Sequence, residues 1–268
     1  MSIFDYNDIQ IPDCSFRISP SSISKFFDYP SVWYKDNILG QKEFTASTST
    51  VLGTVVHAFA ESYAKGLDLS REEAEAFITQ SAKSQPIGSD PILIQDIKDA
   101  YPEMAMRLIN DYIRKNKPTV VEEQIYAKVL DDIYVGGSCD AVTYNSTSGI
   151  VQDYKTYNST TKPKSIPFGY KIQCLAYAWI YKQKSIPIDR IRIIYVNRPI
   201  DTRSISEKTG KPIGKITPPE VTVLTEVITP DDWELIENTL KLIAETVQYV
   251  RQHPDTAHLL FKSYKLKG

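Results

Sequence analysis

The hydrophobic period of the chain changes once, near Pro118. Before that point apolar residues recur every three to four positions, the spacing that gathers them on one face of a helix. "STVLGTVVHAFAESYAKG" carries Val51, Val55, Phe59 and Tyr63 in this register and stops at Gly66, a residue free to take the left-handed conformation that ends helices. "SREEAEAFITQSAK" opens with Ser70 and Glu73 at capping-box spacing and predicts a second helix. Upstream, "ISPSSISKFFDYPSVWYKDN" predicts a short N-terminal helix with Ser19 as cap and Pro20 at its first position, interrupted near Pro30. "DPILIQDIKDAYPEMAMRLINDYIRKN" predicts a long helix kinked or split at Pro102, which lacks a backbone N–H and crowds the preceding turn.

Beyond Pro118 the period falls toward two. "TVVEEQIYAKVL" and "IYVGGSCDAVTY" flank Asp131 and Asp132 as the arms of a hairpin, and "GIVQDYKT" follows a turn at "NSTSG", so three strands form an antiparallel meander. "PFGYKIQCLAYAWIYKQK" predicts a helix, "DRIRIIYVNRP" and "EVTVLTEVIT" predict strands, and "TPDDWELIENTLKLIAETVQYVRQH" predicts a closing helix capped by Thr229. Asp201 to Glu220, rich in lysine, proline and glycine, reads as a mobile surface loop. With no repeat and no linker, the expectation is one α/β domain over residues 1–268. Residues 1–117 are its mostly helical portion and residues 118–268 its sheet core and C-terminal helix.

Composition narrows the picture little. The 268 residues are 42% hydrophobic, enough for a substantial core. Lysine and arginine total 31 against 33 acidic residues, so a site for a polyanion has to be built locally. Cys14, Cys139 and Cys174 form no CxxC pair and are odd in number, which argues against a disulfide framework or a structural zinc site. They read as small buried thiols in a reducing compartment. The opening "MSIFDYNDIQ" has no apolar leader core, and no run is long enough to span a membrane. The expectation is a soluble, cytoplasmic protein with no membrane partner.

The chemistry concentrates on two strands. Side chains alternate along a strand, so Asp153 and Lys155 share a face while Tyr154 points away, and Asp140 on the neighbouring strand can be brought opposite them. Two close carboxylates resist ionising together unless a cation lies between them, and oxygen ligands suit Mg²⁺ or Mn²⁺. A lysine beside such a cation can orient a water or stabilise charge on a phosphate oxygen. Taken alone, Asp153 and Lys155 are an ordinary surface pair, and His57 an ordinary core histidine. Their company changes the balance: "GTVVHAFAE" upstream, "GGSCD" before, and "QCLAY" after, where Gln173 and Tyr177 lie four apart on one helix face.

In kind and order these motifs resemble the RecB-like branch of the PD-(D/E)XK nuclease superfamily. Gly53, Thr54 and His57 match GTxxH, Gly137 and Asp140 match GxxD, Asp153 and Lys155 match (D/E)xK, and Gln173 and Tyr177 match QxxxY. The resemblance covers about the middle half of the chain. It implies a central mixed sheet flanked by helices, with His57, Asp140, Asp153 and the backbone carbonyl of Tyr154 holding Mg²⁺ or Mn²⁺. Lys155 would assist the attacking water, and Gln173 and Tyr177 would position Lys155 or the DNA backbone. Some relatives carry a four-cysteine iron–sulfur clamp that begins in a "CP" dipeptide. Here "YP" stands at Tyr29 and Pro30 and the last cysteine is Cys174, so the implied type is cluster-free. The implied activity is that of an exonuclease on DNA ends, single- or double-stranded, in recombination, repair or replication, with a recombination or replication protein as partner. A non-catalytic DNA-binding module on the same fold and a defence-type endonuclease are the alternatives.

Phosphate contacts are expected from Lys162 and Lys164 and from the basic loop around Arg203, Lys208, Lys211 and Lys215, although solvation alone explains such lysines about as well. Phe168, Tyr170 and Trp179 either stack a base or fill the core. Glu61, one turn beyond His57, either orients the imidazole or is exposed. Of Glu122 and Glu123, one must face the opposite side of its strand from the other and either enters the metal site or is solvated; a solvated edge strand is the favoured reading.

Overall fold

Where the hydrophobic period changes, helices give way to sheet. A computed structural model describes residues 11–13, 15–42, 46–159, 161–205 and 212–261. Its elements run β1 (Phe16–Ile18), a 3₁₀ turn (Pro20–Ser22), α1 (Ile23–Asp28), α2 (Pro30–Asn37), α3 (Thr48–Lys65), α4 (Arg71–Lys83) and α5 (Ile94–Leu108). The strands β2 (Val120–Leu130), β3 (Ile133–Tyr144) and β4 (Gly149–Tyr157) follow, then α6 (Phe168–Gln183) and β5 (Arg190–Asn197). Four two-residue strands come next, β6 (Ile200–Asp201), β7 (Ser204–Ile205), β8 (Pro212–Ile213) and β9 (Ile216–Thr217), before β10 (Val221–Val227) and α7 (Pro230–Gln252).

The main sheet is mixed. β2 pairs antiparallel with β3 and β3 with β4, β4 runs parallel to β5, and β10 closes the edge antiparallel to β5. α3, α4 and α5 pack on one face around Val51, Val55, Ile97, Met104 and Tyr154. α6 and α7 cover the other face around Ile172, Leu175, Ile236 and Leu240, with Trp33 of α2 in the same core. Both faces are buried, as a sheet with a parallel pair requires. Among the described residues no helix is long and apolar enough to cross a membrane.

Helix ends follow the sequence. Ser47 Oγ caps α3 by accepting from Thr50 N (3.2 Å), and Gly66 ends it at φ 70°. Ser70 and Glu73 form a complete capping box, as do Thr229 and Asp232. Ser19 makes no side-chain cap; its hydroxyl meets that of Ser21 instead.

Three expectations are corrected. α5 is not split at Pro102: the helix runs on through the proline, which is exposed, so its ring lies on the outer side of the helix. The irregularity comes later, at a π-helical turn over Ile109–Ile113 that turns Ile109, Tyr112 and Ile113 all inward. The described residues between Asp201 and Glu220 are not an irregular loop: β6 pairs with β9 and β7 with β8. The segment before α1 contributes β1, parallel to β3 at Ile133–Val135, a three-residue strand too short to show a period.

Candidate metal centre

β3 and β4 pair from Tyr144↔Gly149 to Ala141↔Gln152 and then part. Asp140 and Asp153 lie at the point of divergence. There the Tyr154 N–H, which no longer meets a β3 carbonyl, donates to Asp140 Oδ2 at 2.7 Å. Alternation along β4 sends Tyr154 into the core under α3 and turns Asp153 and Lys155 toward α6.

α3 lies over this gap and supplies His57, whose Nδ1 is 3.6 Å from Asp140 Oδ2. The imidazole meets the Tyr154 ring edge-on at 6.0 Å. A third group comes from β2. The flanking pairs Val121↔Ala141 and Glu123↔Cys139 put Glu122 level with Asp140, and its φ of 48° is the left-handed conformation that non-glycine residues in strands rarely adopt. Ser138 Oγ donates to Glu122 Oε2 at 2.5 Å. His57, Glu122 and Asp140 each bring one ligand atom within 4.8 Å of the others. The solvated-edge reading of Glu122 is therefore corrected: the carboxylate faces inward. Glu123, on the opposite face, accepts from the Tyr181 hydroxyl at 2.8 Å.

Asp153 is held from the α6 side. Lys155 Nζ lies 3.0 Å from Oδ1 and 2.8 Å from Oδ2, and Gln173 Nε2 donates to Oδ1 at 3.1 Å. Oδ2 is buried and, although close to the ammonium, makes no well-directed hydrogen bond. Lys155 Nζ also sits 4.9 Å from the centre of the Tyr170 ring. Tyr177, one turn beyond Gln173, donates its hydroxyl to the Ser138 carbonyl at 2.5 Å and so fixes the β3 backbone between Gly137 and Asp140. Gly137 is required by this contact, because a Cβ there would fall 2.8 Å from the Tyr177 hydroxyl and 3.3 Å from Pro20. Gly53 meets no such crowding.

Negative charge crowds the gap between the strands. Burial, and then repulsion by Asp153, push the Asp140 carboxyl up to about 7. Burial, and then repulsion by Asp140, push Glu122 up to about 7 as well. Each carboxylate thus makes the other harder to ionise, and a cation between them relieves the repulsion. Burial and the nearby Lys155 ammonium lower the His57 imidazole and keep it neutral, the form that ligates metals. Burial opposes the Lys155 charge, but Asp153 and Asp140 outweigh it and hold the ammonium above its usual range. Neutral imidazole, paired carboxylates and a buried carboxylate oxygen are the donor set of a hard divalent cation.

The remaining candidates are scattered. Lys162 is exposed and pairs with Glu220 at 2.6 Å, and Lys164 is exposed. Lys215 is exposed between β8 and β9, where its backbone exchanges hydrogen bonds with Thr202. Arg203 is paired with Asp201 at 2.7 Å. Lys208 and Lys211 lie outside the described residues, as does Cys14. Trp179 is core at 9% exposure, Tyr170 is half-buried, and Phe168 is half-exposed at the start of α6. Glu61 pairs with Lys65 at 2.5 Å and contributes to raising Glu122, rather than contacting the imidazole.

A search of curated protein sequences finds no match to the chain. Among solved structures, the chain is similar to a candidate exonuclease of Eubacterium rectale at 14% identity and a TM-score of 0.51, over 96% of this chain and 89% of that one. That likeness is one of fold. An alkaline exonuclease of Laribacter hongkongensis matches more loosely, at 13% identity and a TM-score of 0.34, over 78% of this chain and 93% of that one. The profile of the PD-(D/E)XK nuclease superfamily matches residues 17–257, which takes in most of β1, every group gathered around Asp140 and nearly all of the described C-terminal part. With parting strands that carry Asp140, Asp153 and Lys155 and a profile match over most of its length, the chain belongs to the PD-(D/E)XK nuclease superfamily.

Proposed function

We propose that the protein is a divalent-metal-dependent deoxyribonuclease of the RecB-like type, working as an exonuclease on DNA ends. The observation that carries this reading is the Glu122–Asp140 carboxyl pair, held beside neutral His57 and charged Lys155 in a buried gap of the sheet. Such a cluster is costly unless a cation completes it. His57, Asp140, Asp153 and the Tyr154 carbonyl, with Glu122 added, are the residues that would hold Mg²⁺ or Mn²⁺. Bound there, the cation supplies positive charge to the scissile phosphate and a more acidic water.

The chain's own groups do the rest. Lys155 stays protonated beside Asp153, so it serves as a donor that orients water and stabilises a phosphate oxygen rather than as a proton acceptor. Gln173 locks Asp153, and Tyr177 locks the strand that carries Asp140. Lys162, Lys164, Lys208, Lys211 and Lys215 are proposed phosphate contacts around the site. Because α3 places His57 on strands from the second half of the chain, the helical portion and the sheet work as one nuclease domain. An end-directed nuclease in the cytoplasm fits recombination, repair or replication, with a partner from those processes.

The test is digestion of end-labelled single- and double-stranded DNA beside a closed circle, with Mg²⁺ and with chelator. The expected result is metal-dependent release of short products from linear DNA and an intact circle. Cutting of the circle would move the assignment to an endonuclease, and inertness toward every form would leave a DNA-binding module.

A further inference from the structure

α3 continues past His57 and presents Glu61 and then Lys65 at successive four-residue steps, so the three lie along one face of the helix. At the end of that face a cleft of about 250 Å³ opens between the α3 terminus and the residues leaving the π-helical turn, lined by Tyr63, Lys65, Gly66, Arg114 and Lys117. Three cations thus converge on one hollow of a chain whose overall charge is close to neutral. Arg114 is pre-set: its Nε donates to the Tyr63 hydroxyl at 3.1 Å and its guanidinium lies 5.8 Å from the centre of that ring. This leaves its two terminal nitrogens without a hydrogen bond among the described residues. Lys117 has neither an ion pair nor a hydrogen-bonded side chain there. Lys65 alone is matched, by Glu61.

The end of α3 would repel an anion through its last carbonyls, but those of Ser62 and Tyr63 are already taken by Leu67 N and Gly66 N. The residues lining the cleft thus bring a guanidinium fork and two ammonium groups, the donor set that recognises phosphate. Eight residues of helix separate His57 from Lys65, about 12 Å at a rise of about 1.5 Å per residue. That distance is within the reach of a few nucleotides of a single strand.

We infer that this cleft holds a backbone phosphate of the DNA strand, a few nucleotides from the bond that is cut, and so sets the minimum length of strand that binds fully. The inference deepens the nuclease reading and rests on it.

The experiment measures binding of fluorescent oligothymidylates of two to twelve nucleotides in Ca²⁺, for wild type, Arg114→Gln, Lys117→Gln and the double variant. Wild type is expected to gain affinity in a step once the strand spans both positions. In the double variant that step should vanish, 12-mer affinity should fall about tenfold, and the log–log salt slope should flatten by up to about 0.7 for each phosphate no longer neutralised. Metal affinity by calorimetry and the melting temperature should match wild type. Lys117→Gln carries the test if removing the Arg114–Tyr63 hydrogen bond alters folding, because the Lys117 side chain has no such bond to break. Unchanged 12-mer affinity and salt slope in an enzyme that cuts DNA would overturn the cleft and leave the nuclease reading standing. A wild type that neither binds nor cuts DNA would overturn both.

Discussion

The hydroxyl of Tyr177 occupies the space that a side chain on Gly137 would need, 2.8 Å from where its Cβ would sit, while bonding to the next carbonyl along the same strand. Helix α6 thus presses against β3 just before Asp140. Gly137→Ala is expected to lose about 1–3 kcal/mol by overpacking. Tyr177→Phe should lose about 1 kcal/mol with the hydrogen bond. Combined, they should cost clearly less than the sum, because the phenylalanine vacates the oxygen's place. Urea unfolding of the four proteins measures this, and strict additivity would show that the two residues do not compete for space.

Asp153→Asn and Lys155→Ala should separate metal binding from chemistry. Asparagine keeps the shape and the contact with Gln173 but removes an anionic ligand, so Mg²⁺ affinity and DNA cleavage should both fall, cleavage by orders of magnitude. Lys155→Ala keeps every ligand, so cleavage should fall while metal affinity holds or rises with the removal of a nearby positive charge. DNA binding should persist in both. Calorimetry with Mg²⁺ and Mn²⁺ beside a cleavage assay decides it, and equal residual hydrolysis in all three proteins would refute a catalytic role.

Glu122 and Glu123 are adjacent but face different neighbours, which makes them a matched pair of controls. Glu122→Gln should weaken Mg²⁺ binding by about tenfold or more, as should His57→Ala. Glu123→Gln touches only the Tyr181 contact and should leave metal affinity unchanged. If Glu122→Gln bound Mg²⁺ as wild type does, its inward turn would have no part in holding metal.

Metal-free protein should lose stability as pH rises. Asp140 and Glu122 start from ordinary values of 3.8 and 4.5 and are raised to about 7 in the fold. The fold therefore keeps protons that the unfolded chain releases, so stability is greatest below about 4 for these groups and drains away as pH climbs through about 7. A divalent cation takes the place of these protons, so its stabilising effect should grow over the same window. Melting temperatures in chelator and in Mg²⁺ at pH 5 and pH 8 test this. An equal metal-induced shift at both values would contradict it.

Much of the scaffold was legible because it is written in local periods and end signals. The run from Val51 to Tyr63 with its stop at Gly66, the Ser70 and Thr229 caps, and the three alternating strands all fold as those patterns dictate. The proximity of His57 and Asp140 was legible only through motif order, since no local period connects a helix to a strand so far along the chain. Which of Glu122 and Glu123 turns inward was not legible. A plain two-residue turn at Asp131 and Asp132 would set Glu123 nearer to Asp140, and it is the register shift between Lys128 and Leu130 that brings Glu122 level instead. That shift and the left-handed φ depend on tertiary packing. Likewise Pro102 is tolerated because of what it faces, which a sequence pattern does not record.

The seating of α3 on β4 fixes when the centre can exist at all. During synthesis the first helices emerge long before the strands that receive them, so His57 waits for Glu122 and Asp140 until β2 and β3 have appeared, and Asp153 waits without its lock until α6 has followed. Pairings of such separation close slowly and late in folding. A chain released before α6 would carry part of a cation cage but no fixed Asp153–Lys155 pair. Premature or broken copies are thereby expected to be harmless to the DNA around them.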